Sequence, residues 1–215
     1  MTETHTSTPF FQHHFADAGQ QHEAAKLGMW VFLLTEVLFF GGLFCAYSIY
    51  RAWNPDMFHN AHQALDWRLG GLNTLVLITS SVTMALAIRS FQLDRRGAGI
   101  RLLAMTLLLA GVFMVVKYFE YSHKIHVGQL PGKFYHYTGI EGANPHIFFT
   151  VYFAMTGLHG LHVLIGMGVI FWLIVRAGRG HFGPHYYSPV EVTGLYWHLV
   201  DMIWIFLFPL FYLIG

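Results

Sequence analysis

Five ionisable side chains stand inside otherwise apolar sequence: Glu36 in WVFLLTEVLFFGG, His159 and His162 in TGLHGLHV, and His198 and Asp201 in YWHLVDMIW. Residues of these types can do several kinds of chemistry. Histidines at i and i+3 on one helix can ligate metal, as in di-iron bundles, but those sites draw on four carboxylates, and only Glu36 and Asp201 lie deep here. One histidine from each of two facing helices, His162 and His198, could hold a haem axially. A buried carboxylate such as Glu36 can relay protons. The structural alternative is that all five are interhelical hydrogen-bond partners, as polar residues often are in membrane bundles. Residue types alone leave these readings open.

Other chemistry is excluded more firmly. There is no glycine-rich phosphate loop, no HExxH and no GxSxG. Cys45 is the single cysteine, which rules out a disulfide framework, a paired-cysteine metal site and c-type haem attachment. No residue is assigned a catalytic or metal-binding role. A net charge of +1 with no basic run argues against nucleic acid as a partner.

The elements that position these groups follow from composition. Hydrophobic residues make up 55% of the 215-residue chain, aromatics 17% and charged residues 11%, against roughly 25% charged in a soluble domain. Five apolar stretches run approximately Leu27–Tyr50, Gly70–Phe91, Ile100–Tyr121, His146–Arg176 and Thr193–Ile214, each close to the ~20 residues that cross a hydrocarbon core. In lipid they must be helices, because a helix pairs its own backbone groups. The expected fold is therefore all-α: a polytopic membrane protein, a bundle of five transmembrane helices over residues 27–215. Residues 1–26 form a polar, His-rich tail carrying His5, His13, His14 and His22. That tail lacks the basic and apolar regions of a cleaved signal peptide.

Odd span number puts the termini on opposite sides. Lys26, Arg89, Arg95, Arg96, Arg101, Arg176 and Arg179 fall on the N-terminal side, and Arg51, Arg68, Lys117, Lys124 and Lys133 on the other. The positive-inside rule then places the N-terminus in the cytoplasm. Lys117, inside the outer end of its helix, is expected to snorkel outward. At 1.5 Å per residue, Glu36, His162 and Asp201 fall at matching depths of roughly 12–21 Å, so they can pair if their helices are neighbours.

The segments LGMWVFLLTEVLFFGGLFCAY, VVKYFEY, YFAMTGLHGLHVLIGMGVIF and EVTGLYWHLVDMIWIFLFPLFYLIG carry a resemblance to subunit III of haem–copper cytochrome c oxidase. It covers about Leu27 to Gly215 and fits a short, five-span bacterial form that starts at the equivalent of the family's third helix. The resemblance implies a non-redox subunit without its own cofactors, in the bacterial cytoplasmic membrane. Haem and copper then belong to partner subunits: the catalytic subunit I and other oxidase subunits, with a larger respiratory supercomplex as a further assembly. It implies support of proton uptake, involving His181, His185 and Glu191, and bound phospholipid. Arg176, Arg179 and His181 are the expected lipid-headgroup cluster, because arginine binds phosphate bidentately. Glu36 falls on the family's buried carboxylate, and Glu120 on the acid of its FEY-like segment. Lys117 departs from the family's glutamine. Subunit III of quinol oxidases and an accessory protein of nitric oxide reductase share these strings, and a bis-histidine haem-bearing membrane anchor is the reading from another class.

Overall fold

A computed structural model describes residues 15, 18–140, 144–184 and 186–214. Six helices follow one another: α1 (Ala18–Trp53), α2 (Pro55–His62), α3 (Trp67–Gln92), α4 (Arg96–Val127), α5 (His146–Gly178) and α6 (Ser188–Tyr212). Five of them, all but α2, are long and apolar enough to cross a membrane. The expected spans lie largely within these helices, which outrun them at several ends. α1 begins at Ala18 rather than Leu27, so part of the segment read as tail is helical. α4 continues to Val127, shortening the loop expected after Tyr121. Hydropathy measures the stretch that suits lipid, and a helix continues past it wherever polar side chains can be solvated.

The bundle is written in two buried stripes. On α3 they are Gly70, Asn73, Leu77, Ser80, Met84, Ala87 and Phe91. On α4 they are Gly99, Leu103, Thr106, Ala110, Phe113, Lys117, Glu120 and Lys124. Both alternate steps of three and four, the spacing that keeps one seam turned toward a neighbouring helix. α3 and α4 pack along these seams, and α5 and α6 complete a four-helix unit. Close approach needs a missing side chain at Gly166 on α5, where a Cβ would sit 2.7 Å from the Trp197 ring of α6.

Hydroxyls fasten the helices to one another. Thr74 and Ser80 each donate to the preceding turn of α3, and each also accepts an indole N–H from α6. Trp204 Nε1 donates to Thr74 at 3.1 Å and Trp197 Nε1 to Ser80 at 3.0 Å. A hydroxyl satisfied on its own helix thus gains a second partner across the interface.

α1 stands partly apart. Among the described residues only Leu33, Phe40 and Tyr47 of α1 are buried, against thirteen on α6. The polar attachments of α1 include His22 with Ser188, Lys26 with Glu191, Glu36 with His162, and the Tyr47 hydroxyl donating to the Leu210 carbonyl at 2.7 Å. Between the last two lies an apolar groove of about 340 Å³ lined by Val37, Phe40 and Phe44 of α1 and Leu199, Met202 and Phe206 of α6.

Candidate functional site

At the end of the bundle capped by α2, the seam of α4 turns from apolar to charged. Lys117, Glu120 and Lys124 are all buried. The Lys117 ammonium donates to Glu120 Oε2 at 3.0 Å, to the Tyr152 hydroxyl at 3.1 Å and to the Tyr212 hydroxyl at 3.0 Å. Both phenols donate onward to Glu120 Oε1, Tyr152 at 2.8 Å and Tyr212 at 2.5 Å. Lys117 therefore does not snorkel outward: it faces the seam, where a carboxylate and two phenols offer partners that lipid cannot. Lys124 reaches over this network to the Ala64 carbonyl at 3.4 Å, just past the C-terminus of α2, where a helix end carries partial negative charge. The sequence reading left this network out of its site residues. The signal was present in the 3–4 spacing that runs from Leu103 through Lys117 to Lys124.

Deeper in the bundle, Glu36 of α1 meets His162 of α5, Oε2 to Nε2, at 3.0 Å. The other ring nitrogen, Nδ1, lies 2.8 Å from the Leu158 carbonyl. A carbonyl only accepts, so Nδ1 carries a proton. One further proton lies between Nε2 and Oε2, making the pair either acid with imidazole or carboxylate with imidazolium, and neutral overall in both forms. Matching depth permits this pair along with Asp201, and the packing of α1 against α5 realises it. Glu36→Gln keeps a donor for Nε2 and is expected to preserve attachment of α1. Glu36→Leu strands the imidazole and should weaken attachment by about 1–3 kcal/mol. A hydrophobic carbodiimide should label Glu36 in the unmodified chain and spare the glutamine variant. Mass mapping of the labelled chain checks this, and labelling confined to other acids would count against it.

The remaining deep residues go elsewhere. His198 of α6 bonds Ser81 of α3 through Nδ1 at 2.6 Å, and Asp201, three residues on, also faces Ser81. His162 and His198 thus turn to different neighbours, α1 and α3, and do not form a facing axial pair. Asp201 does not join Glu36 and His162 despite its similar depth, because it faces α3 rather than α1. His159 is fully buried between Phe113 and Trp204, with ring centroids 5.6 and 5.2 Å away.

At the opposite end of the bundle, the Arg176 guanidinium lies over the Trp172 ring at 5.0 Å. His181 Nδ1 sits 3.1 Å from the Arg176 carbonyl, and Arg179 is exposed. The Arg176 guanidinium is thus turned to Trp172, and His181 meets the Arg176 backbone rather than its side chain. Glu191 is not a free surface acid. It accepts from Lys26 at 2.7 Å and lies 3.3 Å from His22, both on α1. His185 lies outside the described residues.

The profile of the family described as cytochrome c oxidase subunit III matches residues 7–215. The chain belongs to that family. Cytochrome c oxidase subunit 3 of Thermostichus vulcanus is 32% identical over 193 residues, covering 87% of this chain and 86% of the relative. Probable quinol oxidase subunit 3 of Staphylococcus haemolyticus (strain JCSC1435) is 27% identical over 192 residues, 88% of this chain and 89% of its own. Heme-copper oxidase subunit I+III of Aeropyrum pernix is 30% identical over 200 residues, 88% of this chain but 22% of the longer protein, so the chain spans about a fifth of that relative. As a subunit III family member, this multi-pass membrane protein is a subunit of a haem–copper oxidase.

Proposed function

We propose that this chain is a non-redox membrane subunit of a proton-pumping haem–copper terminal oxidase, which carries electrons from cytochrome c to oxygen in a bacterial cytoplasmic membrane. The family match over residues 7–215 carries the reading. The site geometry agrees with it: both ring nitrogens of His162 are engaged by protein groups, and Nδ1 of His198 is. These histidines act as fasteners between helices. Haem and copper belong to the partner subunits, chiefly catalytic subunit I, and the N-terminus lies in the cytoplasm by its excess of arginine.

In this reading the chain supports subunit I in two ways. Arg176, steadied by Trp172, offers with Arg179 and His181 a phosphate-binding cluster for a phospholipid headgroup. His181 and Glu191 stand toward the proton entrance, with Glu191 also latching α1 through Lys26. The Staphylococcus relative favours a second reading, a quinol-oxidising complex, in which the same fold serves a different donor site on another subunit. Purification of the tagged chain from its native membranes tests both. The expected co-purifying partner shows haem and copper signals and oxygen reduction, with cytochrome c and quinol supplied in turn to identify the donor. Phospholipid retained by the wild-type complex and lost with Arg176→Ala would support the headgroup site. Recovery of the chain without any oxygen-reducing partner would overturn the proposal.

A further inference from the structure

The surroundings of Lys117 are those of a ligand site. Trp204 and Tyr121 place their ring centroids 4.9 and 5.4 Å from the ammonium nitrogen, and Tyr152 and Tyr212 meet it through their hydroxyls. Aromatic rings at such distances attract cations through their quadrupoles, most strongly where water is excluded. Each of the three ammonium N–H groups also has its own acceptor: Glu120 Oε2, the Tyr152 hydroxyl and the Tyr212 hydroxyl. Three helices supply the set, α4 through Glu120 and Tyr121, α5 through Tyr152, and α6 through Trp204 and Tyr212.

The two features together define the ligand. Rings alone would take any cation, including a quaternary ammonium. Three directed acceptors call for three N–H donors on one nitrogen, which a primary ammonium provides and more substituted ammonium ions do not. The carboxylate balances its charge. The butyl stem of the lysine only brings the nitrogen to the site.

We infer that the rings and acceptors at this end of the bundle form a primary-ammonium binding site, occupied by the chain's own Lys117. Cut free of its backbone tether, the site should accept a small primary alkylammonium ion from solution. Lys117→Ala keeps Cβ, and n-propylammonium replaces the atoms removed. In the purified oxidase, Lys117→Ala is expected to release this subunit at a temperature lower by about 10 °C. Millimolar n-propylammonium should recover at least half of that loss, while choline and 1-propanol at equal concentration should not. Recovery by 1-propanol equal to that by the amine would overturn the proposal, since filled volume rather than an ammonium would then suffice. If Lys117→Ala fails to accumulate, Lys117→Met supplies the second test. It keeps the stem and removes the charge, so it should be destabilised and insensitive to amine. Wild-type stability of Lys117→Met would show that no ammonium is needed there and would equally overturn the assignment.

Discussion

Glu120→Ala is expected to be the most damaging single substitution in the bundle, costing about 3–5 kcal/mol, the range for breaking a buried ion pair from one side. The reason lies in what remains. Lys117 and Lys124 would both stay buried, without the carboxylate that accepts from Lys117, Tyr152 and Tyr212. Both phenols would lose the acceptor for their protons at the same time. Glu120→Gln keeps the amide oxygen as acceptor and should cost distinctly less. Thermal release of this subunit from the detergent-purified oxidase, compared between wild type, glutamine and alanine, measures the difference. Equal behaviour of the alanine variant and wild type would mean that the network contributes nothing to holding α4, α5 and α6 together.

Removing the whole chain from the assembled oxidase is expected to leave the haem spectrum and the first turnovers intact, then to cost most of the activity over successive turnovers. Under the proposed function, electrons need not pass through this subunit, because His162 and His198, the pair that could have held a haem, are turned to Glu36, Leu158 and Ser81. What is lost is a helical wall, bound lipid, and carboxylates and imidazoles near the proton entrance. Imidazole titrates close to physiological pH, and protons grow scarce as pH rises, so the decline should quicken at high pH. Oxygen uptake followed to exhaustion at several pH values, with the spectrum recorded before and after, checks it. Immediate loss of the haem spectrum would assign this chain a part in holding the cofactors.

Much of the fold was legible because lipid leaves so few options. The stretch Gly70–Phe91 reads as a span from hydropathy alone and lies within α3. The Glu36–His162 pair was legible through depth, since both residues could be counted from a membrane boundary. Which helices are neighbours could not be counted that way. For that reason Asp201 was grouped with Glu36, although it faces α3, and Ser81 was not recognised as the partner of His198. Lys117 was misplaced for a different reason. Snorkelling supposes a side chain directed at lipid, whereas the 3–4 spacing continuous with Phe113 and Ala110 puts it on the seam. Periodicity should have outweighed nearness to the helix end.

The attachments of α1 also set a timetable for synthesis. α1 leaves the ribosome well before its partners do: His162 follows Glu36 by 126 residues, and Leu210 follows Tyr47 by 163. At ordinary translation rates the first interval is on the order of ten seconds. During that time Glu36 sits in the bilayer without its imidazole, while α3 and α4 can already close their hairpin. The nascent chain therefore passes through a stage in which α1 is inserted before the partners that fix it exist, and any factor that guards an unpaired intramembrane acid has that interval in which to act.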